Sequence, residues 1–241
     1  MHAAIVTGVS RGLGRALAAA LLARDFAVLG VGRSSAAELR GSYEFVRFDL
    51  ARADDVDAAL ADAFTRLAGR APDSACLVNN AALAGPVGTL GRLDAREVAS
   101  SLAVNLAAVV TLVNLFCRVF TDSALPRRVI NVSSGAAQNA LPGESVYCVA
   151  KAGMEMLTRS LAAEQKDASF RAITVRPGVI DTDMQVFARS QSPDVLPSVE
   201  LFKGFHRDGR LVPPDVVAAK IVDRLVVGEV EHGRTYSYAE L

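Results

Sequence analysis

The sequence is poor in the residues that mark many protein classes. Only 6% of its 241 residues are aromatic, and only three are cysteines: Cys76, Cys117 and Cys148. An odd count at such wide spacing gives neither a disulfide framework nor a zinc pattern. The three read as small buried hydrophobes of a reduced, cytoplasmic compartment. Net charge is missing too, because 26 Lys and Arg balance 26 Asp and Glu. With no basic tract and no acidic tail, the chain lacks the electrostatic footprint of a nucleic-acid or anionic-membrane partner. No uninterrupted apolar run reaches membrane-spanning length. The first apolar run, Ala3-Ala4-Ile5-Val6, leads straight into a glycine turn, so no targeting segment is expected ahead of the fold. His2, His206 and His232 are scattered without ligand spacing, and no metal site is expected.

What the chain does have is aliphatic mass. Hydrophobic residues make up 51% of it, enough for a large core without crosslinks. The pattern alternates strand and helix over one domain, residues 1–241. Strands are predicted at Ala3–Val6, Phe26–Val31, Tyr43–Phe48, Ala75–Val78, Arg128–Val132 and Phe170–Val175, with a last short one near Arg234–Ser237. Helices are predicted at Arg11–Arg24, Asp54–Ala68, about Asp94–Phe120 and Glu144–Lys166. Pro213-Pro214 opens a further helix that Gly228 can close. The strands are apolar throughout rather than alternating, as in a parallel sheet covered on both faces. The expected class is therefore α/β: a Rossmann-like, doubly wound parallel sheet of about seven strands with helices on both faces. One irregular stretch, about Gln185 to Leu211, is broken by Pro193, Pro197, Gly204 and Gly209 and reads as a lid or binding loop. Its Leu196, Leu201, Phe202 and Phe205 suit plain core or an apolar substrate wall equally well.

The first strand runs into Thr7-Gly8-Val9-Ser10-Arg11-Gly12-Leu13-Gly14. Glycines 8, 12 and 14 between a strand and a helix let the backbone approach a pyrophosphate, and the helix start offers unpaired N–H groups. The spacing is G-x-x-x-G-x-G, a weak signal alone. The second strand ends in Gly32-Arg33-Ser34, where an NAD site would place an acid on the ribose hydroxyl. Arg33 there, and Arg11 in the turn, suit a 2′-phosphate, so NADP(H) is favoured over NAD(H). The alternative is two solvated arginines.

Tyr147 and Lys151 are four apart on a predicted helix and share a face. A free phenol titrates near pH ~10, too high for ready proton exchange at neutrality. A neighbouring ammonium, and the positive nicotinamide ring of an oxidised cofactor, would lower that value and make Tyr147 a general acid or base. Ser134 follows the fifth strand, where its hydroxyl can meet a substrate oxygen. Y-x-x-x-K occurs by chance on many helices. Joined to the glycine turn, it argues for hydride transfer at a carbonyl carbon.

Together these residues resemble the single-domain short-chain dehydrogenase/reductase family over essentially the whole chain. The matching pieces are the glycine turn, Asp49-Leu50, Asn79-Asn80-Ala81, Asn105, Ser134, Tyr147-x-x-x-Lys151 and Pro177-Gly178. The resemblance implies a tetrad of Asn105, Ser134, Tyr147 and Lys151. In it the Ser positions the carbonyl, the Tyr exchanges the proton, the Lys binds nicotinamide ribose and acidifies the Tyr, and the Asn holds a water linking the Lys to solvent. It further implies Asp49 at the adenine, Asn80 at the adenosine-side ribose, and Val179 and Thr182 at the carboxamide and phosphates. Ala82 departs from a frequent Gly, a mild change. Pro177 through Gln185, Phe202-Lys203 and Gly209–Val212 resemble the branch containing sepiapterin reductase and bacterial benzil reductase. That branch reduces carbonyls and vicinal diketones with NADPH. Ser237 aligns where the pterin-binding members carry an Asp, which favours a diketone or aromatic ketone over a pterin. The apolar surplus on the helices near 94–120 and 144–166 suggests a homodimer or homotetramer, as the family usually forms. Competing readings are a sepiapterin-type or oxoacyl-carrier-protein reductase, a non-catalytic NADP(H)-binding regulator, and a structural role with cofactor binding as a relic.

Overall fold

The computed structural model describes all 241 residues. Seven strands form one sheet: β1 (His2–Thr7), β2 (Phe26–Gly32), β3 (Tyr43–Arg47), β4 (Ser74–Asn79), β5 (Arg127–Val132), β6 (Phe170–Arg176) and β7 (Thr235–Ser237). Their order is β3-β2-β1-β4-β5-β6-β7, and every neighbouring pair is parallel. Winding reverses between β1 and β4, which opens a crevice at their carboxyl ends, the usual ligand position in such sheets. All seven residues of β2 are buried, as its unbroken apolar run implies, whereas edge strand β3 is half-buried.

The pleat sends alternate residues to two cores. Ala3, Ile5 and Leu77 pack under α2 (Val56–Ala68) and α4 (Ala108–Val119) through Leu60, Phe64, Leu112 and Phe116. Ala4, Val6 and Val78 pack under α1 (Gly12–Leu22) and α8 (Pro214–Ile221) through Leu17, Leu21, Val217 and Ile221. Each fully buried Val, Leu, Ile or Phe side chain among these contributes roughly 2 kcal/mol of transfer free energy.

The predicted elements are present with ends moved by a residue or two. Asp94 caps α3 (Ala95–Leu102) by accepting from the amides of Arg96 and Glu97 at 2.9 and 3.2 Å. The single helix expected from about Asp94 to Phe120 is α3, a π-turn at Ala103–Ala107, and then α4. A second π-turn, Val222–Val227, follows α8 and ends at Gly228. Between them lie α5 (Ser145–Glu164), α6 (Asp183–Arg189) and α7 (Val199–Arg207).

Two expectations need correction. The stretch from 185 to 211 is not irregular: it holds most of α6 and all of α7, with Pro193 and Pro197 in the link between them. Ala95–Val119 is, by length and composition, apolar enough to cross a membrane, although no uninterrupted apolar run within it reaches that length; Leu112, Leu115 and Phe116 bury it against the sheet. Of the three free cysteines only Cys76 is deeply buried; Cys117 and Cys148 are half-buried.

Candidate active site

The glycine turn lies at the switch point. Arg11, extended, precedes α1 without a side-chain cap, and no acid occupies the first helical turn. An uncapped helix start with no negative charge suits an anion. Gly12 has φ +54°, a left-handed conformation, and a Cβ there would stand 3.3 Å from Thr182 Cγ2. Thr182 therefore faces the turn from the far side of the crevice. At Gly14 a Cβ would fall 2.2 Å from the Gly8 carbonyl oxygen, so no side chain fits. The turn thus has the bare backbone a dinucleotide pyrophosphate needs, and Gly8, Ser10, Arg11, Gly12, Leu13 and Gly14 are the residues that could hold it.

The motif after β4 buttresses this turn. The Thr7 hydroxyl accepts the amides of Asn80 (3.0 Å) and Ala81 (2.9 Å), and Asn80 Nδ2 donates to the Thr7 carbonyl at 3.0 Å. Asn79 begins a buried polar chain: its Nδ2 donates to Asn131 Oδ1 (2.9 Å), and Asn131 Nδ2 to Thr158 Oγ1 (2.9 Å), which meets Thr174 Oγ1 at 2.7 Å. Leu13 and Leu50 put their side chains into the core, leaving their main chains as the groups that can meet a ligand. Asp49 is exposed and accepts the Ala51 amide at 3.0 Å.

Arg33 and Ser34 at the end of β2 are exposed, and the Arg33 guanidinium has no ion-pair partner. A cation that sequence reasoning missed stands beside it: Arg47, at the end of β3, donates from Nε to the Arg33 carbonyl at 2.9 Å. The register pairs Gly32 with Arg47, which is the signal that could have found it. Arg11 is not free, since its Nη1 lies 2.8 Å from Asp183 Oδ2. That pair is exposed and worth little, so a stronger anion can replace it. It also ties the loop after β6 to the turn.

Ser134 lies two residues past the end of β5, and Tyr147 and Lys151 lie on one face of the first turns of α5. Lys151 is 1% exposed, and its Nζ sits 5.5 Å from the Tyr147 ring centroid and donates to the Val132 carbonyl at 2.7 Å. Burial pulls its ammonium down to about 8. Burial pushes the Tyr147 phenol well above its usual range, Glu144 adds to this, and the Ser134 hydroxyl pulls the other way. The expectation that the lysine lowers the phenol is therefore not met in the free chain. Lys151 spends its charge on a carbonyl, and desolvation of the phenolate dominates. Asn105 is fully buried in the π-turn, with Oδ1 accepting the Leu83 amide (2.8 Å) and Nδ2 donating to the Leu83 carbonyl (3.0 Å) and Ser101 Oγ (3.2 Å). Its side chain thus ties the 82–93 loop to the helix packed on α5.

Two acids near this group were not singled out from sequence. Glu155, one turn beyond Lys151, accepts Arg176 Nε and Nη2 at 2.7 Å each and the Ser133 hydroxyl at 2.9 Å. Glu144, 7% exposed, opens α5 and makes no side-chain hydrogen bond; burial pushes its carboxyl up to about 7.

The far wall is built from the segment after β6. Pro177 precedes Gly178, against which Tyr238 packs. The Val179 carbonyl accepts the Val212 amide at 2.9 Å, and Ile180 bridges to Val212. Leu196 is sealed with Ala188 and Val199, and Phe202 and Val87 pack against them, so these are core of a small lid. Leu201 is exposed, and Phe205 stacks under the Arg210 guanidinium at 4.9 Å. Ser237 has an acid beside it after all: its Oγ donates to Glu240 Oε2 at 2.6 Å. That carboxylate is committed to Ser237 and Arg234, which hold it down to about 2. His232 is a satisfied histidine, accepting the Ala172 amide at Nδ1. A crevice of about 460 Å³ lined by His2, Arg24, Phe26 and Arg128 opens at the opposite, amino-terminal end of the strands, away from all these residues.

An anion-ready glycine turn at a switch point, beside a Ser, Tyr and Lys on a strand end and one helix, defines a nucleotide-dependent oxidoreductase of the doubly wound class. The chain belongs to the short chain dehydrogenase family, whose model it matches over residues 2–193. It is 31% identical over 242 residues to a benzil reductase, (S)-benzoin forming, of Bacillus subtilis, spanning 100% of this chain and 99% of that one. It is 32% identical over 250 residues to the sepiapterin reductase of Xenopus tropicalis, spanning 95% and 93%. The crystal structure of the KRED1-Pglu enzyme superposes with a TM-score of 0.84 at 29% identity, covering 98% of this chain and all of that one. The chain is thus a carbonyl-reducing oxidoreductase of a family that binds a nicotinamide cofactor.

Proposed function

We propose that the chain is an NADPH-dependent reductase of a ketone or vicinal diketone, acting on the carbonyl through Tyr147. The observation that carries this is the Tyr147 phenol at the crevice, beside the Ser134 hydroxyl and with the Lys151 ammonium 5.5 Å from its ring centroid. A protonated phenol there is a donor ready for a reduction. The glycine turn, Arg33 and Ser34, Asp49, the main chains at Leu50 and Ala81, Asn80, and Pro177 through Val179 with Thr182 are assigned to the dinucleotide. Unpaired Arg33, with Arg47 beside it and no acid at the end of β2, supports NADP(H) over NAD(H).

NADPH, when bound, supplies the hydride to the carbonyl carbon. Ser134 holds the carbonyl oxygen by its hydroxyl, and Tyr147 gives that oxygen its phenolic proton. Lys151, with its ammonium near 8, can return a proton to Tyr147 at neutral pH. Asn105 positions the 82–93 loop against this group.

The similarity to benzil reductase along the whole chain, and the exposed Met184, Val186 and Phe187 on α6, favour an apolar, aryl-flanked diketone. A pterin is the second reading, favoured by the similarity to sepiapterin reductase. The tail weakens it, because Glu240 is already paired. The decisive assay is NADPH oxidation with benzil, sepiapterin and an aryl ketone, repeated with NADH. Turnover of benzil with NADPH is expected, and Tyr147→Phe should lower it by roughly a thousandfold or more while binding NADPH normally. Substantial residual turnover by that variant would remove Tyr147 from the proposed role. NADPH binding with no turnover of any carbonyl would favour a regulator. Cytoplasmic residence and a homodimer or homotetramer complete the proposal.

A further inference from the structure

We propose that Glu155 and Arg176 are positioning residues for the reaction. As one ion pair they hold both ends of the Ser134 turn against α5 and so align the Ser134 hydroxyl with Tyr147. The inference rests on Ser134 and Tyr147 acting on the carbonyl oxygen as proposed above.

Ser134 stands where the sheet ceases to hold the chain. β5 ends at Val132, and the Ser133 amide makes a further bond to the Val175 carbonyl of β6 at 2.8 Å. Ser134 follows and opens the short turn at Gly135–Ala137. Its Oγ accepts the Ala136 amide at 3.2 Å, which leaves the hydroxyl proton for an acceptor at the crevice.

Two bonds grip the chain just before Ser134, and both come from α5. Lys151 Nζ donates to the Val132 carbonyl at 2.7 Å, and the Ser133 hydroxyl donates to Glu155 Oε1 at 2.9 Å. Tyr147, Lys151 and Glu155 follow one another at intervals of four, so they share a face of the helix. A third grip comes after Ser134. Arg176 ends β6 and donates to Glu155 from Nε and Nη2 at 2.7 Å each, while its Nη1 donates to Gln138 Oε1 at 2.6 Å. One carboxylate and one guanidinium therefore tie Ser133 on one side of Ser134 and Gln138 on the other. The two-pronged pairing fixes direction as well as distance.

Stability alone is a poor reason for such a pair. Both charges give up water, and buried ion pairs often hold a fold no better than apolar residues of the same size. Elsewhere α5 is held by apolar side chains such as Met154 and Leu161, which are buried. At the carboxyl ends of the strands an apolar plug would fill the crevice that the reactants must enter. Directional bonds fix the chain there and leave the crevice open. Placement matters at this point, because a displacement of about 1 Å at a reacting group costs on the order of a hundredfold in rate.

The test is a set of double-mutant cycles on NADPH-dependent carbonyl reduction. Ser133→Ala and Gln138→Ala each cut one arm and keep the ion pair, and Glu155→Gln weakens both arms at once. Each arm variant should lower kcat by roughly threefold to tenfold, and Glu155→Gln by roughly tenfold to thirtyfold, with Kd for NADPH changed less than about twofold. In the Ser134→Ala background the same substitutions should each lower kcat by less than about twofold, because the group they align is gone. Losses that stay undiminished in Ser134→Ala overturn the inference and assign the pair to the fold at large. Wild-type kcat in both arm variants overturns it as well, whether or not Glu155→Gln folds. Full activity of Ser134→Ala would instead overturn the reading of the site beneath it.

Discussion

Arg33 concentrates the question of cofactor choice in one side chain. Its guanidinium is exposed and unpaired, with Arg47 bonded to its carbonyl. A charge-assisted bond to a phosphate is worth about 1.5–3 kcal/mol. Arg33→Asp should therefore raise KM for NADPH by roughly tenfold to a hundredfold and leave that for NADH almost unchanged. An unaltered NADPH to NADH ratio would make Arg33 a surface charge. Arg33 was legible in the sequence because its position, just after the second strand, is fixed by the strand itself. Arg47 was not, because its relation to Arg33 exists only through the pairing of β2 with β3. Glu144 was illegible for another reason: an acid at a helix start reads as a solvated partner of the helix dipole. Its burial shows only in the fold, where Leu196 and Pro197 of the lid, distant in sequence, pack on the neighbouring Gly143. That burial makes a stability prediction. The carboxyl sits at about 7 in the folded chain against 4.5 when free, so the folded state binds the extra proton and is favoured at low pH. This stability is present below pH ~4.5 and is lost as pH rises through about 7, on the order of 3 kcal/mol at most. Urea denaturation near pH ~5 and ~7.5 should show a decline in wild type that Glu144→Gln lacks. Parallel behaviour of the two chains would deny the carboxyl a desolvated setting.

At the scale of elements, α5 is the part on which the site depends. It carries Tyr147 and Lys151, and its orientation is held by Glu155, whose carboxylate takes two bonds from Arg176 on β6 and one from Ser133 just past β5. Removing one partner of a buried pair leaves the other charge uncompensated, at a cost of roughly 3–5 kcal/mol. Arg176 keeps 19% side-chain exposure and a bond to Gln138, so the lower end applies. Glu155→Ala should lower unfolding free energy by about 3 kcal/mol and depress turnover more than NADPH affinity; a loss under about 1 kcal/mol would mean that packing alone holds α5. The helix itself was plain in the sequence from its 3.6-residue period. The clamp was not, because its three partners come from segments far apart in the chain. The π-turn at Ala103–Ala107 escaped for a subtler reason: one residue added to a turn hardly disturbs apolar periodicity over a helix of 25 residues. In the lid, Pro193 and Pro197 marked a true break, but they break the chain between two helices. Short helices such as α6, seven residues long, owe their stability to packing rather than to propensity.

The whole molecule shows an apolar surplus that the single chain does not use. Val110 of α4 is 42% exposed, and Val149 and Met156 of α5 are 60% and 53% exposed. Val149 and Met156 are seven apart, two turns along one face of the helix whose other face carries Lys151 and Met154 into the interior. The sequence announced this surplus, because both helices read as apolar on more than one side, but it could not say which residues lie outermost. A stable dimer needs about 800 Å² covered per partner, a surface that two paired helices with apolar faces can supply. Covering α5 from outside would also stiffen the helix that positions Tyr147, so assembly and activity should fall together. Val149→Glu combined with Met156→Glu places two carboxylates per chain in that face, and like charges meeting across a two-fold axis cannot be buried without a large cost. Light scattering on the eluted protein should give a dimer or tetramer for wild type and a monomer for the double variant, with turnover reduced by roughly tenfold and the circular dichroism spectrum unchanged. A wild-type monomer, or a double variant of unaltered mass, would take the face of α4 and α5 out of assembly and leave Val149 and Met156 as ordinary exposed hydrophobes.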